Sequence, residues 1–221
     1  MLSPFPRPGE PAVGLRTPSR AEASAPTVLK VVIAGGFGAG KTTAVGAVSE
    51  IPPLSTEEYL TEASRGVDSL AGVEAKQTTT VAFDFGRLSL PEAPVPLELF
   101  LFGAPGQARF VDLWYDLARG AVGAVVLADT RRLESSFTPI SFFEDIDLPF
   151  VVALNQFDGA HRYHPEQVRT ALELPTSIPV VTCDARDPNH VAGVLLTLVG
   201  HAENAAADPD CHSSTTTLQD A

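Results

Sequence analysis

Short apolar runs alternate with longer stretches in which apolar residues recur at helical spacing, from about Val28 to Ala202. That alternation predicts an α/β domain with a mainly parallel sheet. The predicted strands are Val28–Ala34, Thr80–Leu90, Leu97–Phe102, Ala121–Ala128, Phe150–Leu154 and Ile178–Cys183. Several are almost unbroken Val, Leu, Ile and Phe, as expected where helices cover both faces. Pro91, Pro94 and Pro96 crowd the link between the second and third strands, which predicts an antiparallel hairpin there. Helices are predicted after Lys41, Gln107, Arg131, His164 and Pro188; in the last, Val191, Val194, Leu195 and Leu198 fall on one face. Pro52 and Pro53 are expected to end the first helix. The expected fold is six strands, mostly parallel, with helices on both faces. Phe110, Leu113, Trp114 and Leu117 form a helical stripe, read as core packing with a partner-binding patch as the alternative.

Outside the periodic region the pattern lapses. Residues 1–26 are rich in Pro, Ala and Ser and read as a disordered tail. Residues 203–221 are small, polar and acidic and read the same way, leaving 27–202 as one domain. Fifteen Lys plus Arg stand against 27 Asp plus Glu, a net charge of −12 that disfavours nucleic acid and anionic lipid as partners. Two cysteines, Cys183 and Cys211, are too few for a disulfide framework. No apolar run approaches the roughly 20 residues a membrane span needs. The N-terminus has no signal-peptide pattern, Leu2 stands where myristoylation needs glycine, and there is no prenylation box, so a cytoplasmic location is expected.

One segment carries explicit chemistry. Gly35-Gly36-Phe37-Gly38-Ala39-Gly40-Lys41-Thr42 fits G-x-x-x-x-G-K-[ST], after a predicted strand and at the start of a predicted helix. Glycines let successive amides turn inward around a phosphate, the lysine supplies a mobile cation, and the hydroxyl suits Mg²⁺. The helix N-terminus adds positive potential. These eight residues and Thr43 beside them are the candidate nucleotide-binding loop. The competing reading is a Gly-rich turn that happens to precede Lys-Thr.

Three further stretches lie at predicted strand ends: Gly103-Ala104-Pro105-Gly106-Gln107, Asn155-Gln156-Phe157-Asp158 and Cys183-Asp184-Ala185, with Thr78-Thr79-Thr80 at a strand start. In this order they resemble the switch II, guanine-reading, last base-contacting and switch I segments of Ras-like GTPases. The Phe-Gly-Ala-Pro-Gly-Gln form, and Val-Ala-Phe-Asp-Phe-Gly after the threonines, is most similar to a bacterial branch, the conservon-type relatives of the gliding-motility polarity GTPase. The resemblance implies a GTP-binding molecular switch hydrolysing GTP to GDP with Mg²⁺. Lys41 and the loop amides would hold the phosphates, and Thr42 and Thr80 would ligate Mg²⁺. Gly106 would sense the γ-phosphate and Gln107 would orient the attacking water. Asn155, Gln156 and Asp158, with Cys183, Asp184 and Ala185, would form the base site. It also implies a roadblock/LC7-type regulatory protein as partner, and a membrane sensor-kinase-like protein that recruits the chain to a membrane without insertion.

Other readings stay open. Asn155 and Asp158 also fit an ordinary strand-end turn, and the threonines a β-favouring strand entry in which Thr78 and Thr79 compete with Thr80. His161 and His164 lack further ligands for a metal, Cys183 reads as a small buried residue, and Glu144-Asp145-Ile146-Asp147 as a solvated helix end. Three departures bear on activity. Gly103 stands where the family carries an aspartate near Mg²⁺, Gln156 where it carries a lysine, and Phe37 at a position often glycine. No arginine is evident near Thr80 or Gln107, so a partner is expected to complete the site. The alternatives to a hydrolysing switch are a nucleotide-gated binding module with little hydrolysis and a P-loop ATPase.

Overall fold

The computed structural model describes residues 25–52, 54–55, 83–106 and 110–207. Thr78, Thr79, Thr80 and Gln107 lie outside the described residues, as does Cys211.

The described strands are β1 (Thr27–Gly35), β2 (Leu54–Ser55), β3 (Asp84–Leu90), β4 (Leu97–Gly103), β5 (Gly123–Asp129), β6 (Phe150–Asn155) and β7 (Val180–Cys183). They form one sheet in the order β2-β3-β4-β1-β5-β6-β7. Pairings of β1 with β4 and β5, of β5 with β6, and of β6 with β7 are parallel. The proline-rich link does join an antiparallel pair, β3 and β4. The expected six strands are all present. The seventh, β2, adds two antiparallel residues at the edge beside β3 and is too short to leave a periodic trace in the sequence.

Helices α1 (Lys41–Val48), α2 (Val111–Ala118), α3 (Phe137–Asp145), α4 (Pro165–Ala171) and α5 (Pro188–Ala207) cover the two faces. Side chains alternate along β1. Val31 and Ile33 enter a core with α1 and α5 residues such as Val45, Leu195 and Leu198, whereas Val32 and Ala34 enter one with Trp114, Phe143 and Val168. Each fully buried Leu or Val contributes roughly 1.5–3 kcal/mol. Of the predicted stripe, Trp114 and Leu117 are buried core, Trp114 meeting Phe142 edge to face; Leu113 is partly buried against the same core, and Phe110 is half-buried just before α2.

Strands β5 and β7 start two residues later than expected, at Gly123 and Val180, and two helix ends also differ. Helix α1 closes at Val48, ahead of Pro52, because Ser49 turns to extended backbone and its hydroxyl donates to Ile51 O. Helix α5 runs through Ala207, so the acidic segment expected to be tail from residue 203 begins as helix. The start of α4 is fixed by His164, whose Nδ1 accepts from Glu166 N while Gln167 Oε1 accepts from His164 N. The histidine is thus a helix cap. Among the described residues no cluster of three or more His, Cys, Asp or Glu could hold a metal, and no helix is long and apolar enough to cross a membrane.

Candidate functional site

The loops after β1, β4, β5, β6 and β7 all leave from the carboxyl ends of parallel-paired strands, and register keeps those ends level. Asp129 pairs with Asn155 and Asn155 with Cys183 across β5, β6 and β7. Open α/β sheets bind ligands at this edge, where the chain order reverses on either side of β1. A cleft of about 310 Å³ opens there, lined by Phe37, Gly40, Lys41, Thr42, Asp84 and Gly106 among others.

The Gly35–Thr42 loop is built as its sequence predicts. Gly40 adopts φ 102°, and a Cβ on it would lie 2.5 Å from Asn155 Nδ2, so only glycine fits. Helix α1 begins at Lys41, which turns the free amides of its first turn toward the cleft. Lys41 Nζ folds back to donate to the carbonyls of Gly35 and Gly36, at 2.9 and 2.8 Å. Gly106 presses on the same loop: a Cβ there would meet Lys41 Nζ at 2.6 Å and Phe37 N at 2.8 Å. Its neighbour Pro105 is held by Trp114, whose indole Nε1 donates to the Pro105 carbonyl. The segment expected to sense a terminal phosphate therefore stands against the phosphate loop. Phe37 is 69% exposed at the cleft's rim.

At the floor, Thr42 Oγ1 donates to Asp84 Oδ2 at 2.6 Å. Asp84, at the start of β3, is only 6% exposed and sits across the ladder from Gly103. A hydroxyl beside a buried carboxylate is the all-oxygen chemistry that Mg²⁺ selects. The donors fit the ion, and Thr42, expected from sequence to ligate it, is one of them. A bound Mg²⁺ would supply charge neutralisation at the β- and γ-phosphates.

Asn155 is 5% exposed and serves as a brace. Its Nδ2 donates to Ala39 O at 2.9 Å, and its Oδ1 accepts from Ala185 N at 3.0 Å, tying the phosphate loop to the loop after β7. Gln156 follows with its backbone N–H on Cys183 O. Asp158, expected to read a base, is 86% exposed at its side chain, and Arg186 grips it through two bonds of 2.7 and 3.1 Å. The same guanidinium holds Asp184, whose carboxyl it keeps far below the usual range, and hydrogen bonding to Arg186 also lowers Asp158. Cys183 is buried, which pushes its thiol up to about 11 and leaves it without nucleophilic character.

Sequence reasoning missed a second charged group. Asp129, 1% exposed at the end of β5, accepts from Arg131 and Arg132, and the Arg131 hydrogen bonds hold its carboxyl at about 2. Arg132 also donates to Phe37 O at 2.9 Å, which places an arginine of the chain itself on the phosphate loop. Arg131 stacks over Phe157 at 3.7 Å from the ring centroid and so couples this group to the Asn155–Asp158 segment. Arg132 and Phe37 lie 95 positions apart, and no local spacing signals the contact.

Solved structures share this architecture. The G domain of the FeoB iron transporter from T. maritima superposes with a TM-score of 0.56 at 18% identity, covering 80% of this chain and 99% of that one. The cytosolic domain of the same transporter matches in its apo form, and in a GDP form with a TM-score of 0.57 at 17% identity. The chain spans about 65% of that longer domain. At such identities the likeness establishes the small-GTPase-like P-loop fold. No curated protein matches by sequence. A family model described as "conserved hypothetical ATP binding protein" matches residues 33–205, and the chain, with its phosphate loop on a G-domain-like sheet, belongs to that family of P-loop nucleotide-binding proteins.

Proposed function

We propose that the protein is a GTP-binding molecular switch that hydrolyses GTP to GDP slowly and signals through its nucleotide state. The observation that carries this reading is Asn155. It ties the phosphate loop to the loop after β7, where Arg186 in turn bonds the Asp158 carboxylate, so that phosphate loop and expected base loops are joined through one side chain and one ion pair. An aspartate there can accept from the N1 and N2 donors of guanine, which adenine does not offer in that arrangement. Lys41 and the loop amides bind the phosphates, and Thr42 serves Mg²⁺. The switch segments Thr78–Thr80 and Gly106-Gln107 respond to the γ-phosphate, Gln107 orienting the water. Thr80 is the assigned switch I ligand.

The conservon-type resemblance supplies the cellular setting: bacterial signalling from the cytoplasm, control by a roadblock/LC7-type partner, and recruitment to a membrane by a sensor-kinase-like protein. Unassisted hydrolysis is expected on the order of 10⁻⁴ s⁻¹.

An ATPase is the second reading, favoured by the family's description and by Arg186, which occupies the Asp158 carboxylate. Competition binding separates the two. GTP should win over ATP by at least about tenfold, or 1.4 kcal/mol, and Asp158→Asn should erode the preference. Equal affinities would favour the ATPase. Single-turnover assays with GTP showing no hydrolysis, with or without the partner, would leave a nucleotide-gated binding module.

A further inference from the structure

Asp84 lines the floor of the cleft, and it is the one carboxylate among the described residues that do so. Its Oδ2 takes the Thr42 hydroxyl at 2.6 Å, directly after the phosphate-loop lysine. Across the antiparallel ladder its partner is Gly103, and a side chain added there would press on that of Asp84. A Cβ built on Gly103 would lie 3.0 Å from Asp84 Cβ and 3.1 Å from Oδ2. The glycine that reads in sequence as a missing carboxylate therefore faces a carboxylate delivered from the neighbouring strand.

Resting on the nucleotide-site reading, we infer that Asp84 is the protein carboxylate of the Mg²⁺ shell, holding the ion directly or through one of its waters beside Thr42. Three physical points support the assignment. A buried carboxylate is costly unless it is hydrogen-bonded or neutralised, and its visible partner is a neutral hydroxyl. Mg²⁺ is commonly held by one or two carboxylates plus substrate phosphates, keeping several waters, so a single aspartate suffices. The Thr42 hydroxyl, which donates to Asp84 here, retains oxygen lone pairs for the ion. Gly103 is then the residue that admits Asp84, and Gly103→Asp would crowd two carboxylates rather than improve the site.

The test measures binding rather than turnover. Affinity for a fluorescent GDP analogue is titrated against free Mg²⁺, and also measured in EDTA, for wild type and Asp84→Asn. Asparagine keeps an acceptor for Thr42 while removing the charge. The Mg²⁺ midpoint should rise about 10–100-fold in the variant. Affinity in EDTA should be unchanged or tighter, because a negative charge beside the phosphates is gone. An unchanged midpoint, or a wild type indifferent to Mg²⁺, overturns the inference. Should Asp84→Asn fail to fold, the exchanged pair Asp84→Gly with Gly103→Asp decides. A near-wild-type midpoint supports a carboxylate at this spot, and a raised one overturns it. A wild type that binds no nucleotide even in Mg²⁺ would instead sink the nucleotide reading and the inference together.

Discussion

Arg186 closes over Asp158 with two hydrogen bonds, so the carboxylate assigned to the base is already engaged by the chain itself. A guanine entering the site must displace a guanidinium or share the carboxylate with it. Both groups are well exposed, and exposed pairs of this kind are weak. Arg186→Ala should therefore raise GTP affinity by no more than about fivefold and leave ATP affinity unchanged. Paired titrations of the two nucleotides check this. A loss of GTP affinity would mean that Arg186 supports the base loop instead of competing for it.

Lys41 separates binding from folding. Its ammonium rests on two phosphate-loop carbonyls at a half-buried position, and binding would turn it to the phosphates. Charge-assisted hydrogen bonds contribute roughly 1.5–3 kcal/mol, so Lys41→Ala should weaken nucleotide binding by at least about tenfold. Thermal unfolding without nucleotide should shift little. Calorimetry that found affinity intact would remove the phosphate-loop assignment.

Asn155 should behave oppositely. Truncation to Ala orphans the Ala39 carbonyl and the Ala185 amide, both now satisfied by one buried side chain. Each unsatisfied buried group costs about 1–3 kcal/mol, so Asn155→Ala should lose about 2–4 kcal/mol of folding stability in denaturant titration. Asn155→Asp should not rescue it. Aspartate can accept from Ala185 N, but it turns a second oxygen on Ala39 O. Destabilisation below about 1 kcal/mol would reduce Asn155 to an ordinary turn residue.

The contrast between these positions explains what the sequence made legible. The phosphate loop is eight consecutive residues whose types follow from backbone geometry, so its strand, turn and helix were readable together. The Asn155 segment was found at a strand end, but its role as a brace depends on Ala39, 116 positions away. Asp84, Arg132 and Arg186 owe their places to register and crossover packing, which no local period encodes. Gly103 taken alone argued for a weak metal site, because its ladder partner was invisible before β3 and β4 were paired.

Asp129 gives a pH signature. Hydrogen bonds from Arg131 hold its carboxyl at about 2, below the ordinary 3.8. A depressed folded value means that the stabilisation is fully present above the unfolded value and is lost as pH falls through the folded one. The stability gap between wild type and Asp129→Asn should thus be flat from neutral pH to about 5 and shrink toward pH 2. Its ceiling is about 2 kcal/mol, since both arginine partners are half-exposed and solvent screens them. Urea titrations across that range measure it. A gap that widened on acidification would reverse the assignment.

The β3–β4 hairpin acts as a gauge. Its strands run in register from Leu90 opposite Leu97 at the turn to Asp84 opposite Gly103 at the cleft. Seven residues at about 3.4 Å each set those two ends roughly 20 Å apart. A slip of one position would swing every β3 side chain to the opposite face and carry the Asp84 carboxylate away from Thr42. The length of a proline-rich surface turn, remote from any nucleotide, thereby sets whether the floor of the cleft carries a negative charge.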